Sequence, residues 1–157
     1  MPIKVGQIAP DFSLHDSEKN IVSLSEQKGK TVLLLFYPLA FTGVCTKELC
    51  AIRDDIGRYN NSNAVVFGIS VDSYATLRKY KEEQGYNFPL LSDFNKEVST
   101  AYEAIYEAFA GWMKGVSKRS AFIIDKEGVI QYAEVLESAG DLPDFAAINA
   151  RLAQLNG

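Results

Sequence analysis

The chain carries, at residues 31–37, the uninterrupted apolar run TVLLLFY, with Gly29 shortly before it and Pro38 directly after it. A run of this length with breakers on both sides predicts a central β-strand that is buried on both faces of a sheet. Residues 64–71 read AVVFGISV and predict a second strand of the same kind. The sequence therefore indicates a sheet with a fully buried centre.

A helix is predicted between these two strands, because apolar residues recur there every three or four positions. The residues on this stripe are Cys45, Leu49, Ile52, Ile56 and Tyr59. A second helix is predicted over residues 73–84, with Ser73 before it and Gly85 after it as suitable terminal residues. The elements so far alternate as strand, helix, strand, helix.

Both ends of the chain contain hairpin signals. Strand-like pieces at 11–15 and 21–23 flank a polar turn near the N-terminus. Near the C-terminus, residues 119–125 and 129–135 predict a second hairpin, and residues 144–155 predict a final helix.

The whole pattern predicts an α/β fold. We expect a three-layer sandwich with a central mixed β-sheet and an N-terminal hairpin extension over residues 1–30. With 157 residues and no linker-like segment, the chain is expected to form one domain over residues 1–157.

Composition and charge exclude several classes of function. The chain is 47% hydrophobic and 23% charged with a net charge of -4, which is typical of a globular protein and predicts no binding to nucleic acid. The longest apolar stretch, at residues 32–41, is about half the length of a membrane span, so no membrane segment is expected. The first twelve residues, MPIKVGQIAPDF, lack the features of a signal peptide, which predicts a cytoplasmic protein.

Few residues in the chain are typical metal ligands. Cys45, Cys50 and the single histidine, His15, are too few for a tetrahedral zinc site unless carboxylates complete it, so no metal is expected. In a reducing compartment, two cysteines at this spacing favour a redox role or simple burial over a permanent disulfide.

The segment most able to carry chemistry is PLAFTGVCTKELC, residues 38–50, where a central strand ends and a helix begins. If Thr42 is the N-cap, Cys45 occupies the third helical position, where free N–H groups and the helix dipole favour an anion such as a thiolate. The Thr42 hydroxyl can bond either the sulfur or a bound oxygen. The alternative is that Cys45 is only a small apolar residue on the buried stripe.

Helix geometry limits what Cys45 and Cys50 can do together. On a wound helix their Cα atoms would stand about 9 Å apart, beyond the ~7 Å that a disulfide spans. If the two cysteines pair during turnover, the first turns of this helix must unwind.

These residues resemble the peroxiredoxins, whose motif Pro-x-x-x-Thr/Ser-x-x-Cys is matched by Pro38, Thr42 and Cys45. The resemblance covers almost the whole chain in four landmarks. They are residues 6–12 (GQIAPDF), residues 31–48, residues 88–93 (FPLLSD) and residues 119–125 followed by Gly128.

The resemblance implies a thioredoxin-like fold and a thiol-dependent peroxidase that needs no cofactor. Cys45 would reduce hydrogen peroxide and organic hydroperoxides and become a sulfenic acid. Thr42 and Arg119 would hold the peroxide oxygens, Pro38 would shield the site from water, and Glu48 would orient Arg119. Without the resemblance, Arg119 would be read as an ordinary strand residue.

Two types of peroxiredoxin are mixed in the sequence. The spacing of CTKELC is similar to the bacterioferritin-comigratory or Q type, in which Cys50 would resolve the sulfenic acid and a thioredoxin-like or glutaredoxin-like protein would reduce the disulfide. The phrases FYPLAFTGVC and FPLLSDF are similar to the alkyl hydroperoxide reductase E type, which commonly works with one cysteine. A resolving and a structural role therefore both stay open for Cys50.

Other assignments also stay open at this stage. A thioredoxin-like disulfide oxidoreductase would share the fold but use CxxC, and a redox-sensing module would use Cys45 only stoichiometrically. The protein is expected to be a monomer or a homodimer. An aromatic series near helical spacing, expected to form one packed face, and the loop at residues 39–41 are the candidate contacts. The series comprises Tyr102, Tyr106, Phe109 and Trp112.

Overall fold

The structure is a computed structural model that describes residues 3–156, so Met1, Pro2 and Gly157 lie outside the described residues. Its strands are β1 Ser13–Asp16, β2 Ile21–Ser23, β3 Thr31–Phe36, β4 Ala64–Ser70, β5 Leu90–Ser92, β6 Ser120–Ile124 and β7 Ile130–Val135. Its helices are α1 Gly43–Asp54, α2 Ile56–Asn61, α3 Tyr74–Gln84, α4 Glu97–Ala101 and α5 Phe145–Asn156, with a 3₁₀ turn at Leu24–Gln27.

The strands form one mixed sheet in the order β2-β1-β5-β4-β3-β6-β7. β3 is the central strand, and all six of its residues are buried. It pairs parallel with β4 and antiparallel with β6, so that Phe36 lies opposite Ile69 on one side and Ser120 on the other. The predictions of a buried central strand and of a mixed sheet are confirmed.

Each face of the sheet is covered by apolar side chains. On one face, side chains from α1, α2, α3 and α5 pack on alternate residues of β3, including Leu33 and Leu35. On the other face, the N-terminal segment, the 3₁₀ turn and α4 pack on Val32, Leu34 and Phe36. The sandwich arrangement is thus confirmed, while a single domain over residues 1–157 stays a prediction. No helix within the described residues is long and apolar enough to cross a membrane.

The helix that follows β3 is interrupted, although one continuous helix was predicted. Asp55 ends α1 and precedes α2 with φ -120° and ψ 23°, and its carboxylate pairs with Arg58 at 2.6 Å. Aspartate favours such a terminal position because its short side chain competes with the helical hydrogen bonds. The apolar stripe nevertheless stays in register across the break, since Ile52 and Tyr59 are both buried in the same cluster.

Helix α3 begins and ends as predicted. The Ser73 side chain accepts a hydrogen bond from the backbone N–H of Thr76 at 3.3 Å. Gly85 ends the helix in the left-handed conformation with φ 64°, which glycine adopts without steric cost.

Two elements were not predicted, and they change the role of the N-terminal hairpin. β5 and α4 lie in residues that the sequence analysis left without secondary structure. β1 pairs antiparallel with β5, so that His15 lies opposite Ser92, and the hairpin extends the main sheet. His15 is exposed.

The aromatic series does not form the packed helical face that we predicted. α4 ends before Tyr102, and residues with positive φ at Glu103, Ala110 and Gly111 interrupt any helix beyond it. Tyr102 is fully buried, whereas Trp112 is 73% exposed. The spacing of aromatic residues alone was therefore misleading.

Candidate active site

Cys45 occupies the helix position that the sequence predicted. Thr42 is the N-cap of α1, and Cys45 is the third helical residue with 1% of its surface exposed. The Thr42 hydroxyl donates to the carbonyl oxygen of Leu39 at 2.8 Å and does not cap the helix. The first-turn N–H groups therefore have no side-chain cap and face the site with the positive end of the helix dipole.

Arg119 reaches Cys45 because of how the sheet is paired. It directly precedes β6, which begins antiparallel to β3 at the point where β3 ends. Its Nη2 donates to Cys45 Sγ at 3.2 Å, and its Nη1 donates to Glu48 Oε1 at 2.6 Å. Two more hydrogen bonds, from Nε at 3.2 Å and Nη2 at 2.9 Å, go to the carbonyl oxygen of Ala139. The guanidinium plane is thus fixed by one carboxylate and one backbone carbonyl.

The charges at this site are almost completely desolvated. Glu48 is 0% exposed and Arg119 is 1% exposed. Burial raises the pKa of the Glu48 carboxyl to about 7, against the attraction of Arg119, which lowers it. Burial also disfavours the Arg119 cation, but Glu48 and Cys45 hold its pKa above the usual value. Buried ion pairs of this kind add little net stability. The effect of this pair is to hold the Arg119 cation beside the Cys45 sulfur.

The loop between β3 and α1 is held by groups from other elements. Pro38 is buried at its start. The backbone N–H of Ala40 donates to the Asp72 carboxylate at 2.8 Å, and Asp72 follows β4. Phe41 has φ 66°, a strained value for a bulky residue, and its ring lies 4.8 Å from that of Tyr80. The segment that leads into α1 is therefore strained, and contacts with Asp72 and Tyr80 hold it in place.

Cys50 has different surroundings. It is half-buried, with Sγ 3.7 Å from the side-chain oxygen of Gln84 and 3.9 Å from the hydroxyl of Tyr86. Both cysteines are free thiols, and α1 is wound through both of them. The structure therefore brings Cys45, Arg119 and Glu48 together, whereas Cys50 contacts the uncharged side chains of Gln84 and Tyr86 and has the Arg53 cation nearby.

Several groups at the site were missed by the sequence analysis. Asp72 had a usable signal, because it follows a parallel strand at the sheet edge where β3 also ends. Tyr80 and Tyr86 were hidden among the apolar positions of a helix and the segment after it. The Ala139 carbonyl had no signal, since every residue carries one.

Among residues 3–156, no three His, Cys, Asp or Glu side chains come together to hold a metal ion. The cysteine site places Arg119 within hydrogen-bond distance of both Cys45 and Glu48. Its chemistry is that of a thiol beside a buried cation.

Comparison with known proteins identifies relatives that are named as hydroperoxide reductases and peroxiredoxins. Residues 5–133 match the AhpC/TSA family. Alkyl hydroperoxide reductase E of Mycobacterium bovis is 38% identical over 145 residues, which cover 90% of this chain and 91% of that protein. The putative peroxiredoxin ycf42 of Porphyra purpurea is 41% identical over 143 residues, which cover 85% and 69%.

A solved structure shows the same architecture. The crystal structure of the peroxidoxin BcpB from Mycobacterium tuberculosis matches with a TM-score of 0.82 and 31% identity. The match covers 98% of this chain and 96% of that one. The similarity therefore includes the sheet, α1 and the segment that contains Arg119.

Proposed function

The chain belongs to the AhpC/TSA family of peroxiredoxins, and from that membership we propose that Cys45 is the sulfur that attacks the peroxide. The protein is a thiol-dependent peroxidase with a thioredoxin-like fold. The observation that carries the assignment of Cys45 is the 3.2 Å contact between its Sγ and Nη2 of the buried Arg119, at an uncapped helix N-terminus.

The first step is a two-electron oxidation of Cys45. Its thiolate attacks the terminal oxygen of the peroxide, an S–O bond forms and the O–O bond breaks. The departing oxygen takes a proton from solvent and leaves as water or an alcohol, and Cys45 becomes a sulfenic acid. Arg119 and the first-turn N–H groups of α1 stabilise the negative charge as it moves from sulfur to the departing oxygen.

The other site residues have supporting roles in this proposal. Glu48 accepts the Nη1 hydrogen bond and so orients Arg119. The Thr42 hydroxyl donates to Leu39, which leaves its oxygen lone pairs to accept a hydrogen bond from the terminal peroxide O–H. Pro38 is buried beside the site and excludes water.

Cys50 is proposed to resolve the sulfenic acid. Its thiolate attacks the Cys45 sulfur, a disulfide forms, and hydroxide leaves and is protonated to water. The family acts on peroxides with a thioredoxin-type reductant. For this chain we propose a thioredoxin-like or glutaredoxin-like dithiol protein, which becomes oxidised as both thiols are restored, and a cytoplasmic location.

Two variants test this assignment. Cys45→Ser is expected to lose peroxide turnover entirely. Cys50→Ser is expected to consume one equivalent of peroxide, to accumulate sulfenic or sulfinic acid at Cys45 by mass analysis, and to cycle only with small thiols. Turnover by Cys45→Ser at the parent rate would contradict the role of Cys45. Cycling of Cys50→Ser with a thioredoxin-like donor at the parent rate would make this a one-cysteine enzyme.

The assembly is proposed to be a monomer or a homodimer. Two exposed aromatic side chains mark the candidate contact, Phe41 beside the site and Trp112 in the loop after α4. Sedimentation velocity at several concentrations distinguishes the two states. If the protein is a dimer and Trp112→Ser dissociates it, Trp112 belongs to the dimer interface. A protein that stays monomeric at every concentration has no such interface.

A further inference from the structure

The first two turns of α1 are held to the rest of the protein on two sides. On the β6 side, Arg119 bonds Cys45 and Glu48. On the α3 side, the hydroxyls of Thr46 and Tyr80 share a hydrogen bond of 2.8 Å. Thr46 is the residue directly after Cys45, so this bond acts on the turn that must unwind before a disulfide can form.

The later turns of α1 have their own attachment to the end of α3. Arg53 Nη1 donates to the carbonyl oxygen of Gln84 at 2.5 Å, and Asn87 Nδ2 donates to the carbonyl oxygen of Arg53 at 3.2 Å. These bonds lie beyond Cys50 and do not need to break when the first turn unwinds. The segment that unwinds therefore includes Thr46 and ends before Arg53.

Oxidation of Cys45 weakens one of the two attachments of the first turn. A sulfenic acid lacks the negative charge of the attacking thiolate in the proposed mechanism, so Arg119 binds it less strongly, while Glu48 keeps its own bond to Arg119 one turn further along. The bond between Thr46 and Tyr80 joins two hydroxyls and does not include the Cys45 sulfur as a partner. The Thr46–Tyr80 hydrogen bond is then left to resist unwinding of the first turn.

Tyr80 also supports the strained entry to the helix. Its ring centroid is 4.8 Å from that of Phe41. Phe41 has a positive φ of 66°, a backbone conformation that is unfavourable for a bulky residue. Tyr80 is fully buried, and burial raises the pKa of its hydroxyl, so the hydroxyl stays protonated. One side chain thus contacts the chain on both sides of the α1 N-terminus.

We propose that Tyr80 is a positioning residue that holds the first turn of α1 through Thr46 and thereby sets how fast Cys45 leaves Arg119 to meet Cys50. This inference rests on the proposed resolving role of Cys50. While the turn is wound, Cys45 reacts with peroxide beside Arg119. Once it is oxidised, the strength of the Thr46–Tyr80 bond determines how long the sulfenic acid persists.

The test uses Tyr80→Phe and Thr46→Val, which remove the two hydroxyls and keep the ring and the branched side chain. Disulfide formation after one equivalent of peroxide is expected to become roughly three- to tenfold faster in each, the factor that corresponds to one neutral hydrogen bond. Oxidation of Cys45 is expected to stay within about twofold of the parent. Both variants break the same bond, and Tyr80→Phe also removes the hydrogen bond of this hydroxyl to Tyr86. The double variant should therefore be no faster than Tyr80→Phe alone.

Tyr102→Phe is the matched control. Tyr102 is also a buried tyrosine whose hydroxyl is bonded, to the carbonyl of Pro10 at 2.6 Å, but it packs on the opposite face of the sheet. This variant should lose similar stability and leave disulfide formation at the parent rate. A general loosening of the fold would instead accelerate the control as well, and that result would overturn the proposal.

Amide exchange separates this proposal from the role of Cys50. Exchange over residues 43–46 of the reduced protein should increase in both single variants, whether or not a disulfide forms. Unchanged exchange, or effects of Tyr80→Phe and Thr46→Val that simply add, would overturn the role of Tyr80. A parent protein that forms no Cys45–Cys50 disulfide, together with increased exchange in the variants, would overturn the role of Cys50 alone.

Discussion

Cys45 and Cys50 belong to one helix but have opposite surroundings. Cys45 is buried at the helix N-terminus against the Arg119 cation, which is itself paired with Glu48. Cys50 is half-buried further along, between the neutral side chains of Gln84 and Tyr86. The reactivity of a cysteine depends on charge and access, which supports the proposal that the two cysteines take part in different steps.

The surroundings of Cys45 and Cys50 also differ in the desolvation free energy that they add to folding. A charged cluster with almost no solvent exposure carries a large desolvation penalty, which its hydrogen bonds only partly offset. The neutral contacts of Cys50 carry no such penalty. Changes around Cys45 are therefore expected to affect rate and stability together, and changes around Cys50 to have small effects on stability.

The largest effect is expected from removing the charge beside Cys45. Arg119→Met should slow oxidation of Cys45 by peroxide by about a hundred- to a thousandfold, because a fixed donor at the point of charge development is lost. Stopped-flow measurement of the first oxidation step checks this. Alkylation of Cys50 should change by less than about twofold, because the donor is aimed at Cys45.

A second variant keeps that result interpretable. Arg119→Met alone leaves the Glu48 carboxyl buried without its partner, which costs stability on the order of 3–5 kcal/mol. Combining it with Glu48→Gln removes the charge and should recover much of the stability while oxidation stays slow. If the double variant oxidised at the parent rate, the cation would have no role in the chemistry.

The next effect concerns Glu48 and pH. Its folded-state pKa of about 7 lies above the ordinary 4.5, so the folded protein binds this proton more tightly than the unfolded chain does. The stability that protonated Glu48 contributes is full below about pH 4.5 and is lost as the pH rises to about 7. Relative to Glu48→Gln, the parent should lose on the order of 3 kcal/mol over this range.

Urea unfolding of parent and Glu48→Gln at several pH values measures this difference. A parent that instead gained stability relative to the variant as the pH rose would mean that attraction to Arg119 outweighs burial of Glu48. The sign of the slope thus decides which of the two physical causes dominates at the Cys45 site.

The smallest effect is expected at the neutral site. Gln84→Ala removes the acceptor for the Cys50 thiol and should raise the alkylation rate of Cys50, measured in a Cys45→Ser background, by a few-fold. The stability change should be about 1 kcal/mol or less. Glu83→Ala, the preceding and exposed residue of α3, is the matched control. Equal alkylation rates in the two variants would show that Cys50 is not shielded by Gln84.

The sequence predicts the central elements well because their signals are local. β3 is a run of apolar residues between breakers, and α3 has a capping Ser73 and a terminal Gly85. The break at Asp55 was not predictable from the apolar pattern, because Ile56 and Tyr59 continue the same helical phase beyond it. The β5 strand is only three residues long, too short for its periodicity to stand out.

The candidate site divides in the same way. Cys45 and Thr42 were found because both the motif and the helix start lie in one short segment. Arg119 becomes a neighbour of Cys45 only through the antiparallel pairing of β3 with β6, and a single arginine before a strand has no local signal for that. Tyr80 lies in a predicted helix, and nothing in the local sequence marks the contact of its hydroxyl with Thr46.

The place of β3 in the sheet has a consequence for synthesis of the chain on the ribosome. β3 needs β6 along one of its edges, yet β6 follows about 85 residues later, which at roughly 5–20 residues per second is a delay of several seconds. During that time one side of the most apolar strand has no partner. A nascent chain that stalls before Ser120 would expose an open strand edge to other nascent chains, so this stretch of translation is when the protein most needs a chaperone.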